Sequence, residues 1–162
     1  MKTSGIYLRA ATKSDLDAIN NIIEAAVMTW PLADRVKRLS LPTYKYNELD
    51  LQHLHIVVAE NESGKITGVA AWYPANSADT PNNKTALLLH GIYVNPSEYR
   101  KGIGSQLFQA AEQMAREQKL QGLLVKAKAG SELFYQAHGM EKLTVEDADR
   151  EFVNRYWKLL VT

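Results

Sequence analysis

Cysteine is absent from this chain of 162 residues. Its absence excludes a disulfide framework, thiolate zinc sites and a cysteine nucleophile. Long apolar runs are missing too, since a stretch such as Val69 to Tyr73 is far shorter than the roughly 20 residues of a membrane-spanning helix. No apolar segment follows Lys2, so we expect neither a signal peptide nor a membrane partner, and we expect a cytoplasmic location.

The chain also has no marked excess of charge of either sign. Nineteen Lys and Arg residues face eighteen Asp and Glu residues, which gives a formal net charge of +1. A dedicated nucleic-acid binder needs basic surplus to neutralise phosphates, so we expect no nucleic-acid partner. The length fits one compact domain, which we predict to span residues 1–162.

The first third of the chain predicts a strand followed by helices. Residues 6–10 are typical of a short strand, and Thr12 to Asp15 fit a capping box at a helix start. The helix should end near Trp30 and Pro31, because proline disfavours helix at the residue before it. Its apolar face is predicted from residues at helical spacing: Leu16, Ile19, Ile22, Ile23, Ala26 and Val27.

Residues 32–54 carry a weaker pattern. The spacing of Leu32, Val36 and Leu39 indicates a short amphipathic helix whose apolar face is buried. Its charged residues are expected in solvent: Asp34, Arg35, Lys37 and Arg38. Pro42 is expected to interrupt this helix, and a second short helix is predicted over residues 44–54.

The remaining sequence alternates between strand and helix patterns. It predicts a hairpin of strands 55–60 and 66–73, a loop over 74–84 and a strand over 86–94. A helix from Gly102, a strand over 123–125 and a helix over 131–138 are predicted next. The last strands are predicted within 142–145 and 153–161, with an acidic turn at 146–149 between them. This order predicts an α/β fold in which strands and helices pack in layers.

A glycine-rich turn from Val94 to Ser105 joins the strand 86–94 to the helix that follows. Gly102 and Gly104 let the backbone approach a ligand closely, and the helix start offers amide donors and a positive dipole end. Arg100 and Lys101 add positive charge, so the turn predicts a phosphate or pyrophosphate site. The alternative interpretation is a strand-to-helix turn without a ligand, in which the two glycines only allow tight packing.

Three motif families share this chemistry. A P-loop string is absent, and the dinucleotide fingerprint fails because Leu107 stands where it needs a third glycine. The turn instead resembles the acyl-CoA motif of the GCN5-related N-acetyltransferases (GNAT), with the strand end Val94-Asn95-Pro96 ahead of Gly102-Ile103-Gly104. Tyr99 departs from that motif, which usually has Arg or Gln there, and Arg100 lies one residue later.

A second segment supports the same resemblance. Phe134-Tyr135 followed by Gly139-Met140 resembles the family's F-Y-x-x-x-G-F segment, and Lys128 stands where the family often has asparagine. The resemblance implies a single-domain, GNAT-like mixed sheet, mostly antiparallel, with helices on both faces. It also implies acetyl-CoA as cosubstrate and acetyl transfer to the primary amine of a small molecule or peptide. Because family members often pair, a homodimer is among the partners that it implies.

The resemblance also implies site residues. Tyr135 would protonate the leaving thiolate, and His90, four residues before Val94, would accept the proton of the amine. A tyrosine packed in the core and a histidine satisfied on a buried strand are the alternative interpretations. The implied cofactor-binding residues are Ile92, Tyr93, Val94, Tyr99, Arg100, Lys101, Gly102, Ile103, Gly104, Ser105, Lys128 and Tyr135.

Other functions and sites were weighed against this hypothesis. Without cysteine, an acetyl-cysteine intermediate is impossible, so transfer would be direct. A non-catalytic acyl-CoA sensor or scaffold is the alternative, and a nucleotide-binding regulator using the same turn is a second one. His53 and His55 flank Leu54, but no third ligand is evident, so we expect no metal site.

Overall fold

The computed structural model describes residues 5–128, 130–145 and 154–160. Its helices are α1 (Leu16–Val27), α2 (Asp34–Tyr44), α3 (Glu48–His53), α4 (Ile103–Glu117) and α5 (Glu132–Ala137). Its strands are β1 (Tyr7–Ala10), β2 (His55–Glu60), β3 (Ile66–Pro74), β4 (Ala86–Val94), β5 (Gly122–Lys126), β6 (Glu141–Lys142) and β7 (Arg155–Leu159). The acidic turn at 146–149 lies outside the described residues.

The strands form one seven-stranded sheet in the order β1-β2-β3-β4-β5-β7-β6. β4 and β5 run parallel, whereas β1 with β2, β5 with β7 and β6 with β7 pair antiparallel. The prediction of a mixed, mostly antiparallel sheet is therefore confirmed. Parallel neighbours need a crossover between them, and α4 lies in the crossover between β4 and β5.

The fold divides into two compact units. The first contains the described residues of Met1–Ala71 and Ile92–Leu107, and the second those of Trp72–Gly91 and Phe108–Thr162. In the first, the apolar face of α1 packs on residues of β2 and β3, including Val58 and Val69. In the second, a cluster on one face of β4, β5 and β7 contains Ala86, Leu88, Leu124 and Trp157.

The apolar face predicted for α1 is confirmed, because Ile19, Ile22, Ile23, Ala26 and Val27 are all buried. The helix ends at Val27, before the Trp30-Pro31 pair that the sequence marks as a stop. Periodicity identifies this helix well because its whole apolar stripe faces one core.

The prediction for α2 is wrong about Lys37 and about the apolar face, whereas the other three charged side chains of the prediction are exposed as expected. Lys37, expected in solvent, is only 6% exposed, whereas Val36 and Leu39 are 50% and 72% exposed. The Lys37 ammonium donates to the carbonyls of Met28 and Trp30, at 2.8 and 3.3 Å. These carbonyls follow the end of α1, where side-chain donors commonly bind the last backbone acceptors, so the Lys37 ammonium is buried there and Leu39 of the same helix faces outward.

Pro42 was expected to interrupt α2, but it lies inside the helix, two residues before its end at Tyr44. Proline removes one backbone donor and crowds the carbonyl four residues earlier. Near a helix end few bonds remain to be lost, which is why the last turn continues past it.

A partly buried charge network ties β1 to the start of α1. Arg9 donates two hydrogen bonds to the Asp15 carboxylate, at 2.7 and 2.9 Å, and a third to Glu60 at 3.0 Å. The Thr12 amide also donates to Asp15, at 2.8 Å, as the capping box predicts. The Arg9 hydrogen bond is the largest cause that lowers the pKa of Asp15, to about 2.

Acid should therefore weaken the fold through Asp15. Its folded pKa lies below the unfolded value of about 3.9, so its stabilisation of about 2 kcal/mol is complete above about pH 5 and is lost as pH falls through the folded value. We expect Asp15→Asn to lower the free energy of unfolding by about that amount at pH 7 and to flatten its dependence between pH 5 and 2. Urea unfolding at several pH values measures both effects.

Asp17→Asn is the matched control, because Asp17 is an exposed carboxylate in the first turn of the same helix. Its loss should cost less than about 1 kcal/mol, the size of an exposed charge–dipole interaction. An Asp15→Asn protein that loses stability in acid as steeply as the wild type would contradict the assignment.

Candidate active site

The glycine-rich turn leaves β4 and enters α4 within the first unit. The Asn95 amide donates to the Thr67 carbonyl at 2.9 Å, which fixes the point where the chain leaves the sheet. The Asn95 side chain then accepts from the amide and hydroxyl of Ser97, at 3.1 and 3.0 Å. Pro96–Glu98 follows as one 3₁₀ turn. Asn, Pro and Ser thus set the turn through local hydrogen bonds and a fixed proline φ.

Two left-handed residues complete the turn. Gly102 has φ of 83° and Arg100 has φ of 68°. A Cβ on Gly102 would meet no heavy atom within 4 Å, so backbone conformation and not crowding favours glycine there. The space beside Gly102 is open on the side where its Cβ would lie.

Helix α4 starts with its amides directed at this turn. The Gln106 amide donates to the Gly102 carbonyl at 3.1 Å. The amides of Ile103 and Gly104 precede it in the first turn of α4, where a helix offers no carbonyl acceptor of its own. Together with the dipole of a 15-residue helix, they make this end favourable for a negative group.

Gly68 on β3 is a residue that the sequence reasoning missed. A Cβ there would lie 2.8 Å from a methyl carbon of Ile103 and 3.1 Å from one of Leu107. Glycine at this position lets the start of α4 pack directly on β3. The signal was available, since a glycine inside a strand often marks a close approach by another element.

The two cations of the turn have different surroundings. Lys101 forms an ion pair with Glu98 at 2.7 Å, and both line a surface cavity of about 610 Å³ together with Glu62. Two carboxylates make that cavity unfavourable for a phosphate. Arg100 is exposed and forms no ion pair within the described part of the chain, so it is the better placed cation for an anionic ligand.

The remaining predicted cofactor residues of this unit lie along β4, the turn and α4. Tyr93 and Ile103 are buried, and Tyr99 is 47% exposed. Ile92, Val94, Gly104 and Ser105 are half-buried, and Gly102 is exposed. The structure therefore places the predicted residues Ile92 to Ser105 on one continuous strand end, turn and helix start.

His90 lies on β4 in the second unit, at the point where pairing with β5 stops. The parallel register runs from Ala86 opposite Gly122 to Leu89 opposite Val125, and His90 is the next residue. β4 continues to Val94, so its last backbone groups are not part of that ladder. The half-buried His90 ring lies 6.1 Å from the Tyr73 ring, centroid to centroid.

Tyr135 lies on α5 and is 4% exposed. Burial raises the pKa of its phenol above the ordinary value, so the hydroxyl keeps its proton across the neutral range. Its ring packs edge-on against Phe134, with centroids 5.2 Å apart. Within residues 5–128, 130–145 and 154–160 the hydroxyl makes no hydrogen bond, which leaves it able to donate to a ligand.

Lys128 lies just after β5 and is half-buried. Burial, and then the charge of Lys126, lower the pKa of its ammonium. Its carbonyl accepts from the amide and hydroxyl of Ser131, at 3.1 and 2.6 Å, which leads the chain into α5. His90, Lys128 and Tyr135 thus belong to the second unit, and the glycine turn belongs to the first.

No group of three His, Cys, Asp or Glu side chains able to hold a metal is found among the described residues. No helix in the described ranges is long and apolar enough to cross a membrane.

A family model for the "Acetyltransferase (GNAT) domain" matches residues 52–142. No curated protein matches the chain.

Solved structures share its fold. The PaiA N-acetyltransferase of Thermoplasma acidophilum, in complex with coenzyme A, is 12% identical over 96% of this chain and 99% of its own, with a TM-score of 0.76. A GNAT family acetyltransferase of Brucella melitensis, in complex with acetyl-CoA, is 16% identical over 99% and 91%, with a TM-score of 0.65. A GCN5-related N-acetyltransferase of Rhodopseudomonas palustris is 18% identical over 99% of both chains, with a TM-score of 0.72.

Proposed function

The chain belongs to the GNAT acetyltransferase family, whose model covers residues 52–142, and from that premise we propose that it transfers the acetyl group of acetyl-CoA directly to an amine. The acetyltransferase class predicted from the sequence is thereby confirmed. The proposal adds the direct route, the residues that carry it, and a primary amine of a small molecule or peptide as acceptor.

The observation that carries the proposal is the turn at the start of α4. Coenzyme A carries a pyrophosphate, and the first amides of a long helix beside an open left-handed glycine suit that group. Arg100 adds an exposed guanidinium to the same turn. Because Lys101 is paired with Glu98, we assign the charge contact to Arg100.

The end of β4 suits the pantetheine arm. Backbone groups beyond Leu89 are outside the ladder with β5, so those amides and carbonyls of residues 92–94 that point away from β3 can pair with an extended amide-bearing arm. An amide from the same stretch would donate to the thioester carbonyl as negative charge builds on its oxygen.

The reaction needs two proton transfers. The lone pair of the neutral amine attacks the thioester carbon, so a C–N bond forms, the C–S bond breaks, and the nitrogen proton leaves to a base. His90 is the proposed base, since a neutral imidazole has a ring nitrogen that can accept a proton. The thiolate takes its proton from Tyr135, whose hydroxyl stays protonated because burial raises the pKa of the phenol.

Acetyl-CoA binding is the first test of this function. Ligand at a hundred times its Kd should stabilise the fold by about 2.7 kcal/mol, which at this chain length raises Tm by roughly 5–10 °C. Arg100→Gly is the matched variant, because glycine fits the left-handed backbone at that position but lacks the guanidinium. We expect the variant to fold at least as stably alone and to show a smaller shift with acetyl-CoA.

The outcomes separate the competing functions. No shift at millimolar acetyl-CoA would overturn the proposal. An equal shift with ATP or NAD would favour a nucleotide-binding regulator. A shift without release of CoA thiol across a panel of small amines and peptides would favour a non-catalytic acyl-CoA sensor or scaffold.

A further inference from the structure

Helix α5, which carries Tyr135, is too short to hold its own position. It has six residues, whereas isolated helices below about 12 residues are marginal in water. Leu133 in its first turn is 80% exposed and contributes little packing. The position of the helix therefore depends on contacts made by its other side chains and by its ends.

Lys158 on β7 makes one of those contacts at the C-terminal end of α5. Its ammonium donates to the carbonyl of His138, the residue that follows the helix, at 3.0 Å. The same ammonium donates to the Glu112 carboxylate on α4, also at 3.0 Å, and lies 5.6 Å from the centre of the Phe108 ring. One charged group thus joins three elements of the second unit: β7, α4 and the end of α5.

The surroundings favour a fixed ammonium here. The side chains of Lys158 and Glu112 are 25% and 18% exposed. Burial alone would raise the pKa of Glu112, but hydrogen bonds from Arg116 and Lys158 outweigh it and lower that pKa. A Cβ on Gly139 would lie 3.4 Å from the Lys158 nitrogen, so glycine keeps this approach open. A cation is also favourable at a helix C-terminus.

The same end of the helix is packed by aromatic rings. The His138 ring lies 4.3 Å from that of Phe134 and 4.8 Å from that of Phe108, and its Nδ1 bonds to the Phe134 carbonyl at 2.7 Å. The Tyr135 carbonyl accepts from the Met140 amide at 3.1 Å. A shift of His138 would therefore be passed to Phe134 and Tyr135 through short contacts.

We propose that Lys158 is a positioning residue for the reaction: anchored by Glu112, it fixes the end of α5 and so sets the place of the Tyr135 hydroxyl. This inference rests on the proposed function, in which Tyr135 protonates the leaving thiolate. Lys158 itself touches no reacting atom.

A double-mutant cycle tests the proposal. Lys158→Met keeps the length of the side chain and removes the ammonium, and we expect kcat to fall about tenfold with the KM for acetyl-CoA within twofold. In a Tyr135→Phe background the same change should cost nothing further in kcat, because the hydroxyl it positions is gone. Lys158→Arg should restore most of the activity. The proposal would be overturned if Lys158→Met lowered kcat equally in the wild type and in Tyr135→Phe, or if it left kcat of the wild type unchanged.

Arg116→Met is the matched control. Arg116 donates to the other oxygen of the Glu112 carboxylate at 2.8 Å, and this bond joins two residues of α4 and does not involve α5. It removes one ion pair of Glu112 and should leave kcat unchanged. A loss equal to that of Lys158→Met would indicate that Glu112 alone matters, which contradicts a role for the Lys158 ammonium.

A second measurement is independent of turnover. The ultraviolet titration of the tyrosines, compared with that of Tyr135→Phe, isolates the Tyr135 phenol. In the wild type we expect the Tyr135 phenol not to ionise until the pH is about one unit above the ordinary tyrosine pKa of ~10. In Lys158→Met we expect this phenol to ionise near the ordinary pKa, because water reaches the ring. Identical titrations would contradict positioning by Lys158, whereas absent turnover in the wild type contradicts the proposed function alone.

Discussion

Replacing Tyr135 by phenylalanine is expected to lower kcat by about a hundredfold, since general acid–base groups contribute typically between ~10² and ~10⁴. The variant loses only the hydroxyl, so the ring still packs against Phe134. Because the buried phenol keeps its proton, the wild-type kcat should not decline on the alkaline side until well above the ordinary value of ~10. The KM for acetyl-CoA should change little, because the proton moves only in the transition state.

Tyr156→Phe is the control for this substitution. Tyr156 is 2% exposed, and its hydroxyl accepts from Gln136 of α5 at 3.3 Å. It therefore tests whether loss of any buried hydroxyl near that helix lowers activity. Steady-state assays of CoA release should show kcat within about threefold of the wild type for Tyr156→Phe, against the far larger loss for Tyr135→Phe. Comparable rates in the two variants would remove Tyr135 from the mechanism.

Replacing Gly122 by alanine is expected to destabilise the fold by about 3 kcal/mol, at the upper end of the usual cost of overpacking. A Cβ on Gly122 would overlap the six-membered ring of Trp157 and lie 2.8 Å from the Lys158 carbonyl. Trp157 is 9% exposed and belongs to the apolar cluster of the second unit, so it has no free space to move into. Urea unfolding should give this loss, with Tm lower by roughly 6–12 °C.

Gly64→Ala separates crowding from backbone strain. Gly64 has φ of 82°, but a Cβ there would meet nothing within 4 Å. Its substitution should cost about 1 kcal/mol, the penalty of a left-handed alanine. In the double variant Gly122→Ala with Trp157→Leu, the total loss should be smaller than the sum of the single losses, because the clash with the indole ring is gone and only the contact with the Lys158 carbonyl remains. Additive losses would show that Trp157 does not cause the effect.

The parts of the fold that sequence could predict are those with a regular pattern. The hairpin of β2 and β3, the strand β4 and the helix α4 follow from runs and spacings of apolar residues, and the structure confirms them. The strand predicted within 153–161 is confirmed as a shorter one, Arg155–Leu159. The strand predicted within 142–145 lies instead at Glu141–Lys142 and shares only Lys142 with the prediction. The first and last residues of these strands depend on pairing with neighbouring strands, and the periodicity of the sequence carries no information about that pairing.

The candidate site also has parts that the sequence could predict and parts that it could not. The glycine turn was predictable because its residue types are demanded by local backbone geometry. The cavity that Lys101 shares with Glu62 and the identity of the side chains that crowd Gly68 were not, because Glu62 and Ile103 come from other segments of the chain. The acceptor type, the homodimer, the cytoplasmic location and the single domain over 1–162 stay predictions.

The sequence by itself indicated the family of this protein, because its glycine turn resembles an acyl-CoA motif and its Tyr135 segment resembles a second motif of the same family. The sequence also contains no cysteine. The tertiary structure decided which side chains are buried and which charges are paired. It turned Lys37 inward, kept the Tyr135 phenol protonated and placed Lys158 between Glu112 and the end of α5. The reason is physical: a residue's local pattern sets its backbone, but burial and pairing depend on groups that only the fold brings near.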